Sequence, residues 1–348
     1  MALQADPYGH HRLEKGDTLD DFVVVDVIGR SSQAVLYRLV HSNTGEERAL
    51  KLLHTIDPEI RMRLESEATA QSRLRHENVV RVFGMAQVGQ RVGLYMEYVR
   101  GPTLAEWLAK ANPRLETRLT VFRGVLAAVH DAHANGLIHR DVQPENVLMG
   151  NDGDRWLPKL TDFGLVLDKN TGRRITRPGT RLGSLWYMSP EQMHDSRRVD
   201  HRSDLFSLGS LLYQLVTGYV PFTGADQVSL MTAVAEANYP APLSIVPDLP
   251  EAVVDTINRL LVVDVDERLQ SCEEIEMMLY GDVSLLGEPH ALEREEVDWT
   301  EEVQPIPDAP DQAPEPEAKP ASDMLPAIVV SCVGLLLGGA AYLIWTTL

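Results

Sequence analysis

Cysteine is almost missing from this sequence: two residues in 348, Cys272 and Cys332. Two thiols build neither a disulfide framework nor a CxxC metal pair, which points to a reducing, cytoplasmic setting. Positive charge is also scarce. Lys and Arg number 32 against 51 Asp and Glu, a formal net charge of −19, which argues against nucleic acid or an anionic lipid surface as the main partner. The opening residues, MALQADPYGHHRLEKGD, hold no apolar run of the signal-peptide kind. No internal repeat is visible. The charge deficit is local: residues 281–324 contain thirteen acidic residues against Arg294 and Lys319, a net −11 that leaves −8 for everything else.

One long apolar run stands out, LPAIVVSCVGLLLGGAAYLIW at 325–345, with no charged residue. As a helix it spans roughly 30 Å, the thickness of a bilayer core, so a single transmembrane helix is expected, with nearly all of the chain on its N-terminal side. Tyr342 and Trp345 suit an interfacial belt. Gly334 and Gly338 form a GxxxG pair through which two helices pack closely, the basis for expecting a homodimer. The plain alternative, a buried core helix, fits poorly behind a polar linker. Residues 289–324, rich in Pro, Glu, Asp and Ala, cannot bury enough apolar surface to fold. A flexible chain of that length reaches roughly 30–36 Å. Trp299 in EEVDWTEEV is either a docking residue or a solvated aromatic.

The rest reads as a folded domain. FVVVDVIG, AVLYRLV and RALKLL have strand character, with a turn at Asn43-Thr44-Gly45. DPEIRMRLESEATAQSRLR is helical, and VVRVFGMAQV and RVGLYMEYV are again strand-like. After Gly101-Pro102 long amphipathic helices take over, from TLAEWLAKA onward. Strands followed by helices predict an α+β fold of two lobes with a cleft between them.

The chemistry-bearing residues occur in a fixed order: a glycine turn at Gly29, Lys51, Glu67, His139-Arg140-Asp141, Asn146, Asp162-Phe163-Gly164, Ser189-Pro190-Glu191 and Asp204. With this order and spacing, the chain over roughly 22–280 resembles the bacterial eukaryotic-like Ser/Thr protein kinases. The resemblance implies a bilobal kinase fold, with an N-lobe at about 22–99 and a C-lobe at about 102–280. Around it lie an extension (1–21), an acidic linker (281–324) and the membrane helix (325–345). It further implies that Lys51 holds the α/β-phosphates of ATP and pairs with Glu67, and that Asp141 is the base for the substrate hydroxyl. Asn146 and Asp162 would ligate Mg²⁺, with Mn²⁺ as an alternative. Around the nucleotide it places Ile28 and Gly29 at the phosphate loop and Leu36, Ala49 and Leu148 about the adenine. Met96 takes the gatekeeper position, and backbone groups of Glu97 and Val99 form the hinge. Residues 162–191 match an activation segment. Its Thr171, Thr176 and Thr180 lie among arginines, so that a phosphate on one of them would pair with Arg140. Ser184 stands where the family has a threonine beside the base. Glu191 would pair with Arg268, and Asp204 would brace the catalytic loop.

Three positions depart from the family. In IGRSSQAVLY only Gly29 remains of G-x-G-x-x-G, with Ser31 and Ala34 in the other places, which restricts φ > 0 and adds Cβ atoms beside the phosphates. Gln71, one helical turn after Glu67, replaces an apolar residue expected to pack toward Phe163. Gln143 replaces the lysine beside the catalytic aspartate and offers a hydrogen bond without charge. Two readings follow. One is a membrane-tethered Ser/Thr kinase at a bacterial inner membrane, slow, autophosphorylating, acting on protein substrates from the cytoplasmic side. The other is a pseudokinase, a membrane-anchored nucleotide-binding or scaffold module.

Overall fold

Alternation decides the first half of the fold. In the computed structural model, which describes residues 13–281 apart from 32, 55–56, 153–154, 164–184 and 196–198, six antiparallel strands form one sheet. They are β1 Thr18–Leu19, β2 Phe22–Arg30, β3 Ala34–His41, β4 Glu47–Leu53, β5 Val82–Val88 and β6 Arg91–Glu97, in the order β1-β2-β3-β4-β6-β5. Because side chains alternate along a strand, Val35, Tyr37, Leu39, Leu50 and Leu52 share one face and make a core with Leu13 and Phe22. Ala34, Ala49 and Leu53 lie on the other face, where helix α1 (Pro58–Gln71) adds Leu64 and Ala68. Lys51 pairs with Leu36 across β3–β4, and its parity puts it on this second face. The sheet begins ahead of Phe22, since Leu13 is buried and β1 pairs with β2.

The second half is helical around a larger core. Helix α2 (Leu104–Ala111) starts at a capping box: the Thr103 hydroxyl accepts from the Glu106 N–H, and the Glu106 carboxylate accepts from the Thr103 N–H. Helix α3 (Leu115–Ala134) is followed by a 3₁₀ turn at Pro144–Asn146 and a hairpin of β7 (Val147–Asp152) and β8 (Arg155–Leu160). Short α4 (Pro190–Asp195) leads to α5 (Arg202–Thr217), in which every residue from Ser203 to Thr217 is buried. Helices α6 (Gln227–Ala235), α7 (Pro242–Ile245), α8 (Glu251–Leu260) and α9 (Cys272–Tyr280) complete it. Helix α5 packs against α3, α7 and α8, and Phe206 stacks on Phe222 at 5.7 Å. Each such buried Leu or Phe contributes about 1.5–3 kcal/mol.

Helix α1 stops at Gln71, shorter than its sequence pattern, because Leu74 turns into the core of the helical half. Among the described residues no helix is long and apolar enough to cross a membrane. The apolar run 325–345, the acidic linker with Trp299, and Thr171, Thr176, Thr180 and Ser184 lie outside the described residues.

Candidate active site

The segment His139–Asn146 is held from below. Arg140 has a left-handed backbone, φ +67°, which costs a residue with a side chain about 1–2 kcal/mol. The fully buried Asp204 carboxylate stabilises this bend by accepting from the His139 N–H at 2.8 Å and the Arg140 N–H at 2.6 Å. His133 Nε2 lies 2.8 Å from the same carboxylate. Gln192 donates to the Arg140 carbonyl at 2.9 Å. On His139, Nδ1 accepts from the Asp141 N–H at 3.2 Å, which assigns the ring proton to Nε2 and its 2.9 Å bond to the Thr161 carbonyl. Beneath α4, Arg268 grips Glu191 with two bonds, 2.8 and 3.1 Å. Burial alone would raise the Glu191 pKa; the Arg268 hydrogen bonds and charge outweigh it and hold the carboxyl below its usual range.

Asp141 stands at the front of this segment with both carboxylate oxygens engaged. Gln143 donates to Oδ1 at 2.7 Å, and Asn146 donates to Oδ2 at 2.7 Å and to the Asp141 carbonyl at 2.8 Å. Burial pushes the Asp141 carboxyl up, against the pull of His139, Asn146 and Gln143, which favour the carboxylate. Because the Asn146 NH₂ is fixed on Asp141, its Oδ1 is turned away as an oxygen donor. Asp162 sits at φ +61°, and Lys51 Nζ meets its Oδ1 at 2.6 Å. The Phe163 ring lies 4.5 Å from that of His139. Glu67 is on α1, but its side chain is outside the described residues.

Asn146 and Asp162 suit a hard cation completed by phosphate oxygens. Among the described residues no three His, Cys, Asp or Glu side chains converge as an all-protein metal cage. Above them, Ala49 and Met96 are buried in one apolar cluster, with Leu36, Val99 and Leu148 packed against it. Ile28 is outside that cluster, 39% exposed, where the β2–β3 register shifts. The Glu97 N–H is committed to the Arg81 carbonyl at 2.8 Å, and its carboxylate pairs with Lys159 of β8 at 3.0 Å. Gly101 follows where the backbone runs against β7: a Cβ there would lie 1.8 Å from the Met149 carbonyl oxygen.

Residues 22–280 match the protein kinase domain family. The chain belongs to that family. It is 35% identical over 233 residues to the serine/threonine-protein kinase PknL of Mycobacterium tuberculosis, covering 66% of this chain and 57% of PknL. To the serine/threonine-protein kinase PrkC of Bacillus subtilis it is 30% identical over 259 residues, 73% of this chain and 39% of PrkC. The chain thus spans about half the length of these curated relatives. Among solved structures it resembles residues 1–466 of Rad53 in complex with AMP-PNP, with a TM-score of 0.61 and 27% identity over 73% of this chain and 64% of that one.

Within this kinase domain the three departures take specific forms. In the phosphate loop, Gly29 is not at positive φ, nor are Ser31 and Ala34, so the expected backbone restriction does not arise. Instead the Ser31 hydroxyl accepts from the N–H groups of Gln33 and Ala34 at 3.2 and 3.1 Å, and His54 Nε2 lies 3.2 Å from the Ser31 carbonyl. Gln71 is buried and does not leave Phe163 without a contact; it donates to the Phe163 carbonyl at 3.4 Å. Gln143 is tied to the Asp141 carboxylate itself. The sequence reading missed His133, His54, Gln192 and Lys159. For His133 a signal existed, since AHANGLIH places a histidine at the end of α3, one Gly turn before His139.

Proposed function

We propose that this kinase domain transfers the γ-phosphoryl group of ATP to serine and threonine hydroxyls of proteins, its own activation segment included. The observation that carries this reading is the convergence of a restrained Asp141 carboxylate with the Lys51–Asp162 pair at 2.6 Å. Asp141 takes the hydroxyl proton as that oxygen bonds to the γ-phosphorus and the bond to the departing ADP oxygen breaks. Both its oxygens already accept an amide, and each keeps a second lone pair for the incoming hydroxyl. Lys51 exchanges Asp162 for the α/β-phosphates. Asn146 and Asp162 would hold Mg²⁺, which supplies charge neutralisation on the phosphates. Gln143 orients Asp141 and adds no positive charge, so turnover is slow.

The relatives' names support the choice of Ser/Thr over other acceptors. Residues 325–345 tether the domain to a bacterial inner membrane with the kinase on the cytoplasmic face, and Gly334 and Gly338 pair two copies. One observation favours the pseudokinase reading, a nucleotide-holding scaffold: the Ser31 hydroxyl occupies loop N–H groups that face a phosphate when open. A single assay separates the two. The full chain, incubated with radiolabelled ATP and Mg²⁺, is expected to incorporate label that vanishes in Asp141→Asn. Incorporation absent at every protein concentration and with general protein substrates sinks the enzyme reading.

A further inference from the structure

Gln71 is the last residue of α1, and it is 6% exposed. Its amide spans 92 positions of sequence to donate to the Phe163 carbonyl. That carbonyl belongs to the peptide that leads out of Phe163 into the activation segment. One residue back, Asp162 holds its left-handed φ of +61°, a conformation that persists only when the surroundings over-determine it.

The described restraints on Asp162–Phe163 differ in lifetime. The Lys51–Asp162 ion pair is partly exposed, at 19% and 36%, and ends when phosphates and metal draw the two groups apart. The His139 contacts, to the Thr161 carbonyl and to the Phe163 ring, remain, but they come from the helical half. The Gln71 bond also remains, and it comes from α1, the helix that packs against the sheet bearing Lys51. We propose that Gln71 is a positioning residue: its amide fixes the peptide after Phe163 and thereby ties the placement of Asp162 to that of α1. The effect on rate rests on the kinase reading above; the tie itself does not.

Leucine at this position has nearly the same volume and adds apolar contact, but it leaves a buried carbonyl without its donor. The two effects have opposite signs, so experiment decides which governs. In the full chain, Gln71→Leu is expected to lower kcat by about three- to tenfold, the rate equivalent of one neutral hydrogen bond, with KM for ATP unchanged. Backbone amide exchange of the peptide covering 160–163, measured without ATP, is expected to speed up, while α3 exchanges as before. Gln71→Glu supplies the rescue. Its carboxyl donates to the carbonyl when protonated and repels it when ionised, and burial raises its pKa. Its rate relative to wild type therefore falls as pH rises through that pKa.

An unchanged or higher kcat in Gln71→Leu with unchanged exchange overturns the proposal. So does a Gln71→Glu pH profile parallel to wild type. If the wild-type chain transfers no phosphate, the kinase reading fails on its own, and exchange alone decides the tie: faster exchange in Gln71→Leu supports it, and unchanged exchange overturns it.

Discussion

The floor of the active site and its roof are made of different bonds. Below, Asp204 and Arg268 are buried ions held by multiple charge-assisted hydrogen bonds to the loop backbone and to Glu191. Above, the β2–β3 hairpin is closed by the Ser31 hydroxyl and one backbone bond from the Ser31 N–H to the Ala34 carbonyl, and the lysine pair is partly exposed. A buried ion is tolerated only when fully paired, so the floor is either assembled or broken. Part-exposed bonds, the serine hydroxyl's and the lysine ion pair's alike, trade a partner for water or a ligand at little net cost. Geometry that must stay fixed has gone into the first kind of bond, and geometry that must admit a ligand into the second.

The hardest test of this contrast is to break the floor. Arg268→Ala leaves Glu191 as an unpaired carboxylate and is expected to cost about 3–5 kcal/mol, read as a lower denaturant midpoint; a loss below 1 kcal/mol would remove the distinction. The same pair fixes a pH dependence. The folded Glu191 pKa lies below the unfolded value of about 4.3, so its contribution is complete above that pH and is lost as pH falls through the folded pKa. Arg268→Ala should flatten that acid slope. At the boundary between floor and roof, Gln143→Lys restores a charge beside Asp141. We expect kcat to rise about tenfold, less than the 10²–10³ attached to a whole lost donor, because Gln already donates. An unchanged or lower rate would show a site adapted to the amide. The smallest effect belongs to the roof: Ser31→Gly frees the Gln33 and Ala34 N–H groups and should lower KM for ATP by about twofold. A raised KM would mean that the hydroxyl itself serves the nucleotide.

The sequence showed strands β2 to β6 because alternation is local, but not the two-residue β1, and short, rigidly spaced motifs picked out Lys51, Asp141, Asn146 and Asp162 as candidates. Glu191–Arg268 and the bracing by Asp204 were also visible through motif order. It did not show what Ser31 and Gln71 do. A hydroxyl or amide can donate or accept in several directions, and which one it uses depends on backbone brought near from elsewhere: Phe163 for Gln71, Glu97 for Lys159. Gln71 was therefore expected to weaken a contact that it in fact replaces with a polar one.

The crossing from β6 to α2 has a mechanical consequence. Its near end is clamped by Glu97, bonded to Lys159 and, through its N–H, to the Arg81 carbonyl. Its far end is clamped where Gly101 lies flat on Met149 and the Met149 N–H donates to the Pro102 carbonyl at 2.8 Å. Only Tyr98, Val99 and Arg100 lie between the clamps. The crossing is thereby pinned at both ends, while the Val80 N–H on the Leu160 carbonyl and the Leu160 N–H on the Asn78 carbonyl join the two halves a second time. Any side chain at position 101 would push the chain off Met149, so the second of these pins depends on a hydrogen atom there.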